Sequence, residues 1–184
     1  MKRFVIAITG ASGVCYGKRL FDCLKSQAEV HVIISERGAE LLNIELGLKP
    51  SDFKGENVTL HKTTKINTSI ASGSFQTGAM VVCPCSGSTM SGIARAAASN
   101  LIQRAAEVHL KEHRKLVLVP RETPLSVLQL ENMHRLAMAG AVVLPAMPGW
   151  YHGVDSLDSL VDFVVSRILD QLEIENSLMQ RWGE

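Results

Sequence analysis

The chain has 184 residues, of which 46% are hydrophobic, and its formal net charge is +1 at pH 7. This length suits one domain with a substantial core, and the near-neutral charge excludes bulk attraction to nucleic acid or to a membrane surface. No apolar run approaches the ~20 residues of a membrane span, so we expect a cytoplasmic protein. The four cysteines lack the paired spacing of a zinc site, and we expect them to be reduced, mostly buried and free of metal.

The first predicted strand is the apolar run of residues 4–8, which leads through Thr9 into the sequence GASG at residues 10–13. A run that is apolar on both faces is typical of a central strand in a parallel sheet covered by helices. Backbone N–H groups converge where such a strand meets the next helix, and they attract phosphate there. The GxGxxG and P-loop patterns are absent, so this loop alone is also compatible with a turn that binds nothing.

The rest of the chain continues in short strands and amphipathic helices. Helical spacing of apolar residues predicts helices over residues 13–25, 37–46, 91–98, 101–113, 126–138 and 157–172. Apolar runs predict strands over residues 29–35, 57–61, 79–85, 116–119 and 141–144, whereas residues 62–78 indicate a loop with one helical turn around Ile70. This order predicts an α/β fold, with a doubly wound, mainly parallel six-stranded sheet and helices on both faces.

Unusual residues cluster just past the predicted carboxyl ends of the strands. They are residues 9–13, Ser35, residues 86–89, the pair Arg121 and Glu122, and the pair Trp150 and Tyr151. Ligands bind at this edge of open α/β sheets. Hydroxyls and peptide N–H groups bind one phosphate and guanidinium groups a second, so the pattern predicts a phosphorylated, aromatic ligand.

Several segments resemble a known family, the UbiX-type flavin prenyltransferases (the UbiX/Pad family). They are GASG at residues 10–13, CPCS at 83–86, RAAEVxLKE at 104–112, LVLVPRETPLS at 116–126, LENM at 130–133, PGWYH at 148–152 and RWGE at 181–184. The resemblance covers nearly the whole chain, and VPRE, LENM and RWGE are its specific parts. The chain departs from the family pattern at Cys15 and at Gly87 and Ser88, where the family commonly has a small or polar residue and a TG or KT pair.

The resemblance implies a Rossmann-like flavoprotein that forms a homo-oligomer, commonly a dodecamer, with FMN bound at subunit contacts. Residues 1–184 would form a single flavin-binding domain, with residues 173–184 as a tail at an oligomer interface. The implied activity is metal-independent transfer of a dimethylallyl group from dimethylallyl monophosphate to reduced FMN, which joins N5 and C6 in a fourth ring. The product, prenylated FMN, is the cofactor of partner UbiD-type decarboxylases, including those of ubiquinone biosynthesis.

The resemblance also assigns site residues by position. It implies FMN contacts at Gly10, Ala11, Ser12, Ser35, Ser86, Gly87, Ser88, Thr89 and Arg121. It implies prenyl-phosphate contacts, some across subunits, at Arg104, Lys111, Arg121, Tyr151 and Arg167, with Trp182 as an aromatic lid. Ser12, Glu45 and Glu122 match residues that the family uses in the chemistry.

Elementary chemistry agrees with these roles. Cleavage of an allylic phosphate leaves an allyl cation and a phosphate dianion, so cations around the leaving group lower the barrier without a metal. Glu122, held among cations, can deliver a proton to the departing phosphate or take one from C6 of the flavin. Flat rings such as the flavin, Trp150 and Trp182 can shelter the allyl cation from water.

Each assignment has a plainer alternative. Arg104, Glu107 and Lys111 share one helix face at spacings of three and four, which is also typical of a solvated surface. Arg121 and Glu122 could form an ordinary surface ion pair. The aromatic residues Trp150, Tyr151 and Trp182 could pack at an oligomer interface.

Two other functions remain open at the level of sequence. One is an FMN-dependent cysteine decarboxylase of the same fold, although its catalytic His near the first helix and its PxMNxxMW segment are not visible in the chain. The other is a non-catalytic flavin-binding subunit that stores or delivers the cofactor. Retention of Ser12, Glu45, Arg121 and Glu122 counts against that second alternative.

Overall fold

The computed structural model describes residues 1–183, and Glu184, the last residue of the RWGE segment, lies outside the described residues. The strands are β1 (Arg3–Ile8), β2 (Glu29–Ile34), β3 (Val58–His61), β4 (Ala79–Cys85), β5 (Lys115–Pro120) and β6 (Val142–Val143). The helices are α1 (Val14–Leu24), α2 (Glu36–Leu46), α3 (Gly87–Ala94), α4 (Leu101–Lys111), α5 (Val127–Met138) and α6 (Leu157–Gln171). A 3-10 turn at Ser69–Ala71 confirms the helical turn expected around Ile70.

The strands form one sheet in the order β3-β2-β1-β4-β5-β6, and every pairing between neighbours is parallel. The predicted Rossmann-like α/β fold is confirmed. From β1 the chain winds outward to β3, and from β4 it winds outward in the opposite direction to β6. The loops after β1 and β4 therefore flank the topological switch point, where folds of this kind bind their ligands.

Two hydrophobic cores cover the two faces of the sheet, and β1 contributes to both. Phe4, Ile6 and Ile8 point into the core that contains α1 and α6, which we call the α6 face. Val5 and Ala7 point into the opposite core, which contains α3, α4 and Leu136 of α5, and which we call the α4 face. Successive side chains of a strand alternate between faces, so burial on both faces requires the unbroken apolar run that the sequence shows.

Helix α1 packs closely on the sheet through Gly17. A Cβ atom built at Gly17 would meet the carbonyl oxygen of Cys83 in β4. Only glycine leaves room for the helix backbone to come this near to a strand. This close approach brings the start of α1 next to the end of β4.

The third helix differs from its prediction over residues 91–98. It spans Gly87–Ala94, because Ser86 is its N-cap and accepts a hydrogen bond from the N–H of Thr89. It ends early because Ala96 adopts a left-handed φ of 51°, which interrupts the helix. Residues 86–89, predicted as a loop, are therefore the cap and first turn of a helix.

None of the helices within residues 1–183 is long and apolar enough to cross a membrane. Cys83 and Cys85 are buried in β4, as expected, whereas Cys15 and Cys23 are only half-buried on α1. All four cysteines are free thiols.

Candidate functional site

Thr9 joins the two loops at the switch point. Its fully buried hydroxyl donates to the carbonyl oxygen of Pro84 at 2.8 Å and accepts from the N–H of Ser86 at 2.8 Å. Its own N–H donates to the same Pro84 carbonyl at 3.2 Å. A single threonine thus holds the GASG loop after β1 against the start of α3.

Two adjoining cavities open at this edge of the sheet. The Glu122 cavity has a volume of about 470 Å³, and its lining includes Gly10, Ala11, Gly87, Ser88, Arg121 and Glu122. The Ser35 cavity has a volume of about 410 Å³, and its lining includes Ser35, Arg37, Thr89, Asn100 and Gln103. Gly10, Ser86 and Ser88 line both cavities. Each volume lies within the roughly 300–1,000 Å³ of small-molecule sites.

The Ser35 cavity lies between the starts of two helices. Ser35 caps α2 by accepting from the N–H of Gly38 at 3.0 Å, and Ser86 caps α3 by accepting from the N–H of Thr89 at 3.4 Å. The first turns of both helices therefore present N–H groups and the positive ends of their dipoles. This arrangement favours an anionic group such as a phosphate.

The start of α1 does not match the expectation that it attracts phosphate. The carboxylate of Glu45, on α2, accepts from the N–H of Gly13 at 2.9 Å and from the N–H of Val14 at 3.1 Å. An acidic side chain of the same chain therefore occupies the anion site at this helix terminus. Helices α2 and α3, in contrast, contribute their capping serines to the lining of the Ser35 cavity.

Arg121 and Glu122 have separate partners, so the alternative of a mutual surface ion pair is wrong. The Nε of Arg121 donates to the carbonyl oxygen of Ser12 at 3.0 Å, which fixes the guanidinium against the GASG loop. The Oε1 of Glu122 accepts from the N–H of Thr123 at 3.3 Å, and Oε2 accepts from the Nε2 of Gln129 at 3.4 Å. Both side chains line the Glu122 cavity.

The cations assigned to the prenyl phosphate are divided between the two faces of the sheet. Arg104 and Lys111 lie on α4, on the α4 face, where they contact Glu107 at 3.7 Å and Glu112 at 2.6 Å. Arg167 lies on α6, on the α6 face, and contacts Asp170 at 2.8 Å. A single chain therefore does not gather these cations in one place.

The carboxylate of Asp170 links α6 to the tail. It accepts from the guanidinium of Arg167 at 2.8 Å and from that of Arg181 at 2.8 Å. The Arg181 hydrogen bond lowers the pKa of this carboxyl below its ordinary value, so Asp170 stays charged at neutral pH. This contact holds the tail against the last turn of α6.

The predicted aromatic residues lie beside α6. Tyr151 meets Phe163 edge-on at 5.8 Å and Trp182 edge-on at 5.1 Å between ring centroids, and His152 stacks on Phe163 at 5.1 Å. Tyr151, Trp150 and Trp182 remain at least half exposed. Among residues 1–183, no aromatic side chain lines the Glu122 or the Ser35 cavity.

The structure adds polar residues that the sequence analysis missed. Gln129 and Asn132 of α5 line the Glu122 cavity, and Asn100 and Gln103 line the Ser35 cavity. Gln129 lies three residues after the N-cap Ser126, a spacing typical of a capping box, and this spacing was its only signal in the sequence. Asn132 lies in the LENM segment and Asn100 is the N-cap of α4, but neither signal pointed to a cavity, and Gln103 has no distinctive local pattern.

The cysteines near the cleft are not disposed to act as nucleophiles. Burial raises the pKa of the Cys85 thiol to about 12, and burial also raises the pKa of the Cys15 thiol. Neither residue therefore supplies a thiolate at neutral pH. Within residues 1–183 no group of three or more His, Cys, Asp or Glu side chains has the arrangement of a metal site.

Comparison with known proteins gives consistent matches over nearly the full length. The family model described as Flavoprotein matches residues 1–169. The flavin prenyltransferase UbiX of Halalkalibacterium halodurans is 46% identical over 193 residues, covering 98% of this chain and 93% of the relative.

A dodecameric FMN-dependent UbiX-like decarboxylase from Escherichia coli O157:H7 has a TM-score of 0.94 at 37% identity, covering 99% of this chain and 100% of that chain. AnUbiX (PadA1), solved in complex with FMN and dimethylallyl pyrophosphate, has a TM-score of 0.95 at 35% identity, covering 100% of this chain and 98% of that chain.

The cysteine decarboxylases are similar in fold alone. Peptidyl-cysteine decarboxylase EpiD has a TM-score of 0.62 at 17% identity, covering 94% of this chain and 99% of that chain. Proteins that share a fold at this level differ widely in their chemistry. The likeness therefore lends no support to a cysteine decarboxylase activity.

Proposed function

This chain belongs to the UbiX family of flavin prenyltransferases, and from that premise we propose that it transfers a dimethylallyl group from dimethylallyl monophosphate to reduced FMN. The product we propose is FMN prenylated at N5 and C6, made in the cytoplasm for a UbiD-type decarboxylase such as that of ubiquinone biosynthesis. The observation that carries the proposal is the pair of adjoining cavities at the switch point. One presents two helix N-termini, and the other presents Arg121 and Glu122.

The residues of the cleft fit FMN. We place the FMN phosphate in the Ser35 cavity, where N–H groups at the starts of α2 and α3 and the hydroxyls of Ser35, Ser86 and Thr89 can donate to it. We place the isoalloxazine ring in the Glu122 cavity, against the backbone of Gly10 and Ala11 and beside Arg121. Ser12, Gly87 and Ser88 complete the proposed flavin contacts.

The flavin supplies the nucleophilic ring atoms, and the protein's own residues control the leaving group and the protons. Arg121 is fixed by Ser12 at 3.0 Å, so its remaining N–H groups are oriented before the reaction. A guanidinium oriented in advance stabilises the charge that develops on the departing phosphate. Glu122 faces the same cavity and is the proposed proton carrier for the phosphate and for C6.

Glu45 and Ser12 act at the first loop. Glu45 holds the N–H groups of Gly13 and Val14 and thereby sets the backbone that presents Ser12. We assign both residues to the chemistry: Ser12 for its hydroxyl beside the flavin, and Glu45, the second-to-last residue of α2, for its carboxylate.

The remaining phosphate ligands point to an assembly of several copies. Arg104 and Lys111 lie on the α4 face and Arg167, Tyr151 and Trp182 lie beside α6, so one chain cannot bring them to one phosphate. We propose a homo-oligomer, dodecameric like the Escherichia coli relative, in which neighbouring copies complete each site. In this proposal residues 1–184 are one domain, and the tail of residues 173–184 packs at the interface, with Trp182 as a lid.

The proposal is tested with the purified protein, reduced FMN and dimethylallyl monophosphate, without added metal. We expect a flavin that is heavier by one isoprenyl unit, detected by mass spectrometry. Bound FMN of unchanged mass would indicate a storage or delivery subunit instead. Release of carbon dioxide from a peptide with a carboxyl-terminal cysteine would indicate the decarboxylase alternative.

A further inference from the structure

Glu122 depends for its orientation on a neighbour in α5. Its Oε1 accepts from the N–H of Thr123 at 3.3 Å, a contact within the loop itself. Its Oε2 accepts from the Nε2 of Gln129 at 3.4 Å, the contact that ties the carboxylate to a regular element. A catalytic carboxyl group at the end of a strand needs such support, because loops position side chains less precisely than helices do.

The amide of Gln129 has only one orientation that satisfies its surroundings. Its Oε1 accepts from the N–H of Ser126 at 2.8 Å, and a carbonyl oxygen is the only atom of the amide that can accept this bond. The NH₂ group must therefore point the other way, toward Glu122. The capping box of α5 thus fixes which end of the amide faces the carboxylate.

Gly87 provides the space that the amide occupies. A Cβ atom built at Gly87 would lie 3.1 Å from the Nε2 of Gln129, closer than ordinary van der Waals contact. A larger residue at this position would press on the amide. This contact gives a physical reason for glycine at a position where the chain departs from the family pattern.

From these contacts we infer that Gln129 is a positioning residue for Glu122: it caps α5 with its oxygen and holds the carboxylate toward the cavity with its nitrogen. The inference rests on the proposed role of Glu122. Both carboxylate oxygens of Glu122 accept N–H groups, so the side chain is held at two points. Gln129 itself touches neither reacting group in this assignment.

The substitution Gln129→Glu separates the two roles of the side chain. A glutamate keeps the acceptor for the N–H of Ser126 and so preserves the capping box, but it presents a second carboxylate to Glu122 in place of a donor. We expect kcat to fall by about 10- to 100-fold, as for a misplaced catalytic group. The acidic limb of the pH–rate profile should move to higher pH, and kcat should fall by a larger factor than FMN affinity.

Two further variants sharpen this test. In a Glu122→Gln background the added carboxylate no longer faces a second carboxylate at residue 122, so Gln129→Glu should change kcat little further. Gln27→Glu makes the same amide-to-carboxylate change in an exposed turn after α1 and should behave as the wild type. A wild-type rate and pH profile in Gln129→Glu would overturn the inference, as would a fall in FMN affinity at unchanged kcat.

A crystal structure of the Gln129→Glu protein at neutral pH decides the inference independently of activity. We expect the carboxylate of Glu122 to turn away from residue 129 while the α5 cap remains intact. An unmoved Glu122 would refute the positioning role. If the wild type makes no prenylated flavin, the proposed function fails, but the orientation of Glu122 in the two structures still tests Gln129.

Discussion

At the scale of single residues, two carboxylates near the cleft have different surroundings. Glu45 accepts from two consecutive backbone N–H groups of α1, so its first effect is on the position of the GASG loop. Glu122 accepts one backbone and one side-chain donor, and it lines a cavity. These differences predict that loss of Glu45 affects stability as well as turnover, whereas loss of the Glu122 charge affects turnover alone.

Glu122→Gln tests the proton-carrying role. The glutamine amide is nearly isosteric with the glutamate carboxylate, so we expect flavin binding to be retained. Turnover should fall by about 10²- to 10⁴-fold, because a general acid–base group is lost. Flavin titration and the rate of prenylated FMN formation measure the two effects. The matched change Glu56→Gln, in an exposed loop, should leave both unchanged. Full turnover in Glu122→Gln would remove this residue from the mechanism.

Glu45→Ala tests the cap at the start of α1. Two N–H groups lose their acceptor, and loss of a helix cap typically costs about 1 kcal/mol of the free energy of unfolding. Urea denaturation should show this decrease, and Glu45→Gln, which keeps one acceptor oxygen, should lose less. The control Glu40→Ala, on the same helix, breaks only an exposed contact with Arg37 and should cost little. Equal stability of Glu45→Ala and the wild type would contradict the capping role.

At the scale of elements, the paired strands β2 and β3 contain two neighbouring histidines. The Nδ1 of His31 lies 2.9 Å from the Nε2 of His61, and the Nε2 of His31 lies 3.0 Å from Glu29, which also pairs with Arg3 at 2.9 Å. Burial lowers the pKa of His61 to about 4, with a further contribution from His31, and burial also lowers the pKa of His31. Both rings are therefore neutral in the folded protein at pH 7.

This pair predicts a loss of stability in mild acid. As the pH falls from 6.5 to about 4, the unfolded chain binds a proton at residue 61 that the folded chain excludes, so the free energy of unfolding decreases. One histidine contributes a slope of at most about 1.4 kcal/mol per pH unit, and this slope fades as the pH rises past the unfolded pKa of about 6.5. Urea denaturation at several pH values should show that the free energy of unfolding of His61→Gln changes less with pH than that of the wild type. Identical curves for variant and wild type would exclude this source of acid sensitivity.

At the scale of the whole molecule, the sheet separates the proposed phosphate ligands. Helices α4 and α6 pack on opposite faces, so their cations are kept apart by two layers of core and the sheet between them. Exposed apolar residues of α5, among them Leu128 and Met138, and the exposed ring of Trp182 are further surface that an assembly would cover. Both features fit the proposal that active sites form between copies.

Mixed assemblies test this arrangement. We expect Arg104→Ala and Arg167→Ala each to lose most turnover in a pure oligomer, because the phosphate loses one cation in every site. When the two inactive chains are co-expressed, some sites should combine an intact Arg104 from one copy with an intact Arg167 from another, and turnover should partly return. Mass spectrometry of the intact assembly confirms the mixing. No recovery in a verified mixture would mean that each chain supplies both cations to its own site.

Much of the fold followed from the sequence, because strand and helix periods are local properties. The apolar run of β1 is such a property, whereas Gly17 is explained only by its close approach to Cys83 in β4. The early start of α3 was missed because the same Ser86 is typical both of a loop and of an N-cap. The positions of Ser35, Ser86 and Arg121 at one edge followed from the parallel order of the strands.

The sequence by itself therefore determined the α/β class, the edge that holds the cleft and the family, since these depend on periodicity and on motifs. Only the tertiary structure decided that Glu45 accepts the N–H groups at the start of α1 and that Gln129 donates to Glu122. It also decided that the cations of α4 and α6 lie on opposite faces of the sheet. Glu45 and Gly13 are far apart along the chain, as are Gly87 and Gln129, and no local pattern encodes their distance. Such contacts arise when helices dock on the sheet, so they become visible only in the packed chain.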